Sequence, residues 1–390
     1  MSRLAIVSCL PPDETGVADF THRLLTIAGD DVRGYAAPRA TYRFIAGDPL
    51  DPDRWRVRSH RHLDRDAGKD VDAVVIMIGN SAHFAPIAEW AHGWRARVGG
   101  IPRLLYLHDV FLLSLFGYMS SGSALMEAVS RDQGRIVRHP GSFDQILRLV
   151  DQRALGAAAL IRHIHPDVVI VNSAAARDLI AQEPGMPRDI RLEAAFHPVF
   201  PTEARWHRNA ARHALRIGTF GLQTPLKQLE LVLDAMELLR ELEPDATLVI
   251  AGYGAKQFVA RQGLAERRGI EVHESPDDAR LDALMASVDL AVQLRAADLG
   301  ESSGIVARLL AVGTPIIATA RGAALELGEA VTFAGASIRA HDLAELIRRE
   351  IGHGAHRSES ARRYAERHTP RALVAKLTQV ARETLRTGSA

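Results

Sequence analysis

The sequence predicts an α/β protein made of two doubly wound, parallel-sheet domains. Three observations carry this expectation. The chain has 390 residues, too many for one ordinary core and enough for two domains of roughly 150–200 residues. Short apolar runs alternate with helical periodicities in both halves, the pattern of strands and crossover helices. Residues 288–319 (V-D-L-A-V-Q-L-R-A-A-D-L-G-E-S-S-G-I-V-A-R-L-L-A-V-G-T-P-I-I-A-T) read as strand, polar turn, helix and strand. The two domains are expected to face each other across a cleft.

Composition narrows the function classes. The formal charge is +1, so net charge implies no polyanion or membrane field, and no nucleic-acid partner is expected. Arginine supplies nearly all the positive charge, since the only lysines are Lys69, Lys227, Lys256 and Lys376. Cys9 is the sole cysteine, which rules out an intrachain disulfide and suits a reducing cytosol. The opening M-S-R-L-A-I-V-S-C-L-P-P is too short and too early broken for a signal peptide. With no run of about 18 apolar residues, no membrane span is expected. The resulting expectation is a cytoplasmic protein, with peripheral membrane contact left open.

In chain order, Leu4 to Ser8 reads as a first strand. It runs into P-P-D-E-T-G-V-A-D-F, where Gly16 permits close backbone approach and Val17 to Leu25 has helical spacing. Strand, glycine loop and helix make a ligand cradle at the carboxyl end of a sheet, or a plain connection. Residues 29 to 70 are polar and poorly periodic and receive no role. Ala73 to Ile78 is a strand followed by G-N-S-A-H-F, with Asn80 and His83. Leu104 to Leu107 is another, ending in His108 and Asp109. Either histidine can bind ligand or serve the fold, and Asp109 is placed to fix the tautomer of His108. Val110 to Val129 is apolar and reads as packed core in preference to an acceptor pocket or a lipid-facing surface. Gln145 to His163 reads as one long amphipathic helix. Asp167 to Val171 is a strand, with Ser173 capping the next helix.

The stretch 197–214 mixes prolines with charge and reads as an interdomain linker, dividing the chain into 1–203 and 204–371, with a terminal helix of about 372–390 returning to the first domain. Leu215 to Phe220 restarts the alternation, and G-L-Q-T-P-L-K-Q leads to a helix near 228–242. Thr247 to Gly252 is a strand ending in G-Y-G, and Leu281 to Ser287 is helical. Val288 to Leu294 and Ile316 to Thr319 flank the helix Ile305 to Val312, with Gly313 as a left-handed cap. A strand at 330–333 and helices at 341–352 and 358–387 complete the chain.

Several features of the second domain suit one anion. The amides of Ser302, Ser303 and Gly304 open a helix, where unpaired N–H groups and the macrodipole favour negative charge. Gly252 and Gly254 offer a second close approach, and Lys227 follows a strand end. Glu301 can accept from sugar hydroxyls. The alternative is that Glu301 and the serines merely cap the helix. The chain contains no P-loop and no H-E-x-x-H. His163-Ile164-His165 has no obvious third ligand.

With these residues in view, the chain resembles the GT-B-fold glycosyltransferases, most closely the retaining members of family four, over nearly its whole length. P-P-D-E-T-G-V-A-D-F resembles the family's N-terminal glycine loop and carries Gly16 and Asp19. G-N-S-A-H-F and L-H-D resemble its donor and acceptor contacts, and a histidine at the His108 position lies beside the transferred sugar in that family. F-G-L-Q-T-P-L-K-Q, with Gly221 and Lys227, is similar to the diphosphate-holding segment. G-E-S-S-G-I-V-A-R-L-L-A-V-G-T-P is similar to the donor motif.

Two positions depart from the family. Arg308 stands where a ribose-binding glutamate is usual, and Leu222 where an arginine precedes the lysine. Glu301 would then take the ribose, or Arg308 or Arg295 would restore the charge, in a variant of the motif. The resemblance implies catalytic roles for His108, Lys227 and Glu301. It implies donor contacts from Gly16, Gly221, Gly252, Gly254, Arg295, Ser302, Ser303, Gly304 and Arg308, and acceptor-side contacts from Asp19, Asn80, His83 and Asp109. It implies a nucleotide-sugar donor, a glycan, lipid-linked or small acceptor, and no metal or other cofactor. The reaction would be retaining glycosyl transfer in bacterial polysaccharide, glycolipid or glycoconjugate synthesis. An epimerase or hydrolase on the same fold, or a non-catalytic binding protein, is the alternative.

Overall fold

A computed structural model describes residues 4–13, 15–28, 32–36, 57–59, 63, 71–94, 100–207, 214–261, 263 and 269–387. The chain forms two units. One comprises residues 1–196, 299–302 and 370–390, the other 197–298 and 303–369.

The first unit is built on a seven-stranded sheet ordered β3-β2-β1-β4-β5-β6-β7. Its elements are β1 (Leu4–Ser8), α1 (Gly16–Ala28), β2 (Val32–Ala36), β3 (Val57–Ser59), β4 (Ala73–Ile78), α2 (Ala85–Ala91), β5 (Arg103–Leu107), α3 (Leu113–Phe116), α4 (Gly122–Asp132), α5 (Phe143–Asp151), α6 (Ala157–Ile164), β6 (Val168–Val171), α7 (Ala174–Ala181) and β7 (Arg191–Ala194). All the strand pairs are parallel. Chain order reverses at β1/β4, so the carboxyl ends of those strands flank a topological switch point. β1, β4, β5 and β6 are buried at every position, as parallel strands covered on both faces must be. β2 and β3 lie within the stretch 29–70 that had been given no role.

The other unit carries a six-stranded parallel sheet ordered β10-β9-β8-β11-β12-β13. Its elements are β8 (Arg216–Phe220), α8 (Leu229–Arg240), β9 (Thr247–Gly252), α9 (Ala255–Arg261), β10 (Ile270–Glu274), α10 (Asp278–Ser287), β11 (Leu290–Gln293), α11 (Gly304–Val312), β12 (Ile316–Thr319), β13 (Thr332–Ala334), α12 (Ala340–Ile351) and α13 (Gly354–Arg367). One core cluster lies on each face of this sheet, one with α8 and α12, the other with α10, α11 and α13. Helix α14 (Pro370–Thr387) belongs to the first unit.

Three expectations are corrected. The helix expected over 145–163 is two helices, because the chain takes positive φ at Arg153 (57°) and Gly156 (88°). The Glu183 carboxylate holds that break, accepting from the amides of Leu155 (2.9 Å) and Ala158 (2.8 Å), with Gly156 a third donor at 2.6 Å. The terminal helix expected over 358–387 is likewise two. Pro370 starts the second, its fixed φ suiting a first helical position and its missing N–H preventing continuation. Finally, β7, α9 and β10 were not anticipated. The strands R-L-E-A and I-E-V-H-E are half-buried throughout, so neither shows an apolar run.

The apolar stretch after His108 is core. Val110 to Leu113, Leu115, Phe116, Leu125, Met126 and Val129 are all buried. No helix among the described residues is long and apolar enough to cross a membrane.

Candidate functional site

In the first unit Asn80, His108 and Asp109 gather at the carboxyl ends of β4 and β5, beside Asn172 at the end of β6. Just past β4, Asn80 donates its amide to Asp109 Oδ2 at 2.8 Å. Its side-chain Oδ1 accepts from the Leu115 amide at 2.9 Å, tying the start of α3 to this edge. Asp109 thus spends an oxygen on the Asn80 backbone rather than standing only as an orienting group for His108. Burial pushes the Asp109 carboxyl up to about 6. The Asn80 bond opposes that rise and the nearby Glu301 charge adds to it. Glu301 and Ser302 therefore belong to this corner, and Ser302 Oγ reaches the Asn172 carbonyl at 3.4 Å.

His108 is buried, its ring edge-on to Phe20 at 4.6 Å and tilted against Tyr106 at 4.9 Å. Asn172, at the end of β6, donates to the His108 carbonyl at 3.3 Å and accepts from the Tyr106 hydroxyl. Sequence reasoning passed over Asn172, although its place just beyond an apolar run is the signal that singled out His108. His83 pairs with Asp13 at 3.3 Å. Asp19 is exposed on α1 and pairs with Arg23 at 3.7 Å. Gly16 opens α1, and a Cβ there would meet nothing within 4 Å, so the space beside it is open.

In the second unit a glycine-walled corner forms where β8 and β9 end beside the start of α11. Gly221 follows β8 with φ +89°, and a Cβ on it would come within 2.7 Å of both Lys227 Nζ and Ile305 Cγ1. Gly252 has φ +151°, and a Cβ there would overlap the Gly221 carbonyl. Only glycine meets both the backbone geometry and the crowding. Lys227 is 8% exposed, and its Nζ donates to the Phe220 carbonyl. Gln223 Nε2 donates to the Gly221 carbonyl at 2.9 Å. Two side chains therefore hold the same turn by its carbonyls, and one brings a buried positive charge. The first residues of α11 complete the corner. Ser303 is its N-cap, with Oγ accepting from the Val306 amide at 3.3 Å. Ser303 thus fills the capping role, and Gly304, which is exposed, presents the unobstructed backbone.

Two donor-side expectations change. Arg308 was expected to supply charge to a diphosphate. Its guanidinium is committed instead: Nε bonds Asp282, Nη1 bonds Asp278 Oδ1 at 2.6 Å, and Nη2 bonds the Asp278 carbonyl at 2.6 Å. The second concerns Gly254, expected to offer its backbone to an anion. Its amide already donates to Glu274 at 2.7 Å, as does that of Lys256. Those bonds, the Lys256 one first, hold the Glu274 carboxyl below the usual range. Arg295 is anchored by its amide to Thr319 Oγ1 at 2.9 Å.

Sequence reasoning also passed over Gln223 and Gln293. Both are buried, yet Gln223 Oε1 and Gln293 Nε2 have no hydrogen-bond partner among the described residues. Each follows an apolar strand run closely, which is the signal that could have found them. No group of three or more metal-ligating side chains occurs among the described residues. His163 stacks on His92 with ring centroids 4.0 Å apart.

Residues 212–351 match a model of the glycosyl transferases group 1. The matched segment falls mainly in the second unit and covers less than half of the chain. The fold is GT-B. The Anabaena HepE protein, solved with UDP-glucose, is 16% identical with a TM-score of 0.62, covering 99% of this chain and 100% of that one. Sucrose-phosphate synthase from Thermosynechococcus elongatus is 14% identical with a TM-score of 0.60, over 99% and 100% of the two chains. A UDP-forming alpha,alpha-trehalose-phosphate synthase from Burkholderia xenovorans is 13% identical with a TM-score of 0.59, over 100% of both. None of the curated protein sequences matches the chain.

Proposed function

We propose that the protein moves a sugar from a nucleotide-sugar donor to an acceptor hydroxyl with retention of anomeric configuration. The observation that carries the reading is the glycine-walled corner at Gly221 and Gly252, with the Lys227 ammonium buried against it, inside the segment that matches the group 1 glycosyltransferases. The solved relative with bound UDP-glucose supports a nucleotide sugar as donor.

In this reading the diphosphate rests on the Gly221 turn and the open backbone at Gly304, and Lys227 faces its charge. A unit charge about 4 Å from another gains roughly 4 kcal/mol at an effective dielectric of 20. The part of that attraction appearing only as the glycosidic bond breaks lowers the barrier, and 1.36 kcal/mol is worth about tenfold in rate. The transition state is oxocarbenium-like. The acceptor oxygen attacks from the face the diphosphate leaves, and the departing phosphate oxygen takes the acceptor proton. Lys227 and backbone amides carry the leaving-group charge, so the chemistry calls for no metal ion, and EDTA should leave turnover unchanged. The acceptor is a glycan, a lipid-linked sugar or a small hydroxyl compound, as in bacterial glycoconjugate synthesis.

The deciding experiment is a hydrolysis and transfer screen over UDP-, GDP-, ADP- and dTDP-sugars, with calorimetric titration of the corresponding nucleoside diphosphates. Turnover of at least one donor, with the sugar released in the donor's own anomeric configuration by NMR, is expected. Release of the opposite anomer would overturn retention. No binding of any nucleoside diphosphate would overturn the whole reading.

A further inference from the structure

We propose that Tyr253 and Leu222 form a platform for the nucleobase of the donor, making them affinity-determining residues on the base side of the site. The inference rests on the nucleotide-sugar reading and extends it to side chains that the phosphate chemistry does not use.

The register of the sheet places the two residues together. β8 and β9 pair in parallel with Phe220 opposite Ala251. Leu222 and Tyr253 each lie two residues further on, at matching positions of the two loops. A Cβ at Gly254 would lie 3.9 Å from Leu222 Cδ1, which confirms that the loops stay adjacent beyond the last paired residues. Both side chains stand in solvent, Tyr253 73% and Leu222 52% exposed. Exposed apolar pairs of this kind mark binding surfaces when they flank a pocket.

Charge then fixes which part of the ligand lies here. The positive end of the corner is Lys227, against Gly221. The G-Y-G loop instead has its Gly254 and Lys256 amides filled by the Glu274 carboxylate. A phosphate is attracted to the first and gains nothing from amides already occupied at the second. An aromatic base has the opposite preference. It carries no phosphate charge, stacks on a phenol ring and packs against a leucine.

The test is calorimetric titration of the full chain with UDP, GDP and ADP, and with inorganic pyrophosphate as the base-free probe. Tyr253→Ala removes an exposed side chain, so its melting temperature should equal that of the wild type. Its Kd for the preferred nucleoside diphosphate should rise roughly tenfold, in line with the loss of one base–aromatic stack. Pyrophosphate affinity should not change, Tyr253→Phe should bind as the wild type does, and Leu222→Ala should weaken the nucleoside diphosphate by a smaller factor. An unchanged Kd in Tyr253→Ala, against a wild type that binds, overturns the platform and leaves the donor reading intact. So does equal weakening of pyrophosphate, since that assigns the loop to the phosphates. A wild type that binds no nucleoside diphosphate removes the donor reading and the platform with it.

Discussion

Replacing Lys227 by methionine isolates the charge at the glycine corner. Methionine keeps most of the buried aliphatic stem, so the pocket beside Ile305 stays filled while the ammonium and its bond to the Phe220 carbonyl are lost. Two costs follow and can be separated. Losing one buried hydrogen-bond donor to a carbonyl should lower stability by about 1–3 kcal/mol. Losing the attraction to a developing negative charge should act on the rate. The full pairwise value is roughly 4 kcal/mol at 4 Å and a dielectric of 20. Part of it is already present in the ground state and part is balanced by the bond to Phe220. About 2.7 kcal/mol should remain in the transition state, a hundredfold in kcat. The assay is steady-state turnover of the donor found by the sugar-nucleotide screen, at a temperature where the variant is fully folded by circular dichroism. A kcat within threefold of wild type in a folded variant would refute the role of Lys227 in leaving-group departure. A raised KM with unchanged kcat would reduce it to ground-state binding.

Further outcomes follow from other parts of the structure. Gly252→Ala forces a Cβ onto the Gly221 carbonyl at a φ of +151°. Because the clash is with backbone, it should cost about 3 kcal/mol or more in a thermal melt and abolish donor binding. Arg308→Ala breaks the bonds to Asp278 and Asp282; it should lower stability by about 1–3 kcal/mol while leaving nucleoside diphosphate affinity within about twofold, because that guanidinium is spent within the protein. Burial pushes the Glu183 carboxyl up to about 7 from its ordinary value of 4.5. The folded state then holds a proton that the unfolded state has released. Stability should fall as pH rises from about 4.5 to 7, by about 3 kcal/mol if the whole difference is expressed, and level off above that. Denaturant melts at pH 5 and pH 8 should show this slope in the wild type and lose it in Glu183→Gln.

Much of the fold was legible because buried parallel strands leave an unmistakable mark. A-V-V-I-M-I, T-L-V-I-A-G and I-I-A-T are continuous apolar runs, and each strand lies where its run predicts. The edge strands β7 and β10 were invisible for the opposite reason, since each leaves every residue half-buried. The break at residues 152–156 was hidden because its cause is tertiary: Glu183, 27 residues beyond Gly156, supplies the acceptors that stabilise it. The candidate site divides in the same way. Gly221, Gly252 and Lys227 could be found because glycine and a rare lysine stand out in one dimension. The engagement of Arg308 with two aspartates on α10 could not, because a guanidinium's partner is decided by packing of helices distant in sequence.

The carboxylate at the end of β10 has a consequence for how a ligand finds its place. Glu274 is a tethered rival for any free anion at the Gly254 and Lys256 amides. Being on the same chain, it sits there at an effective concentration that a dissolved phosphate reaches only with difficulty. A pyrophosphate-bearing molecule that lands backwards, phosphates toward the G-Y-G loop, meets an occupied hole and a repelling charge. One that lands forwards meets the Lys227 ammonium. Polarity of docking is thus written into the resting protein before any ligand arrives.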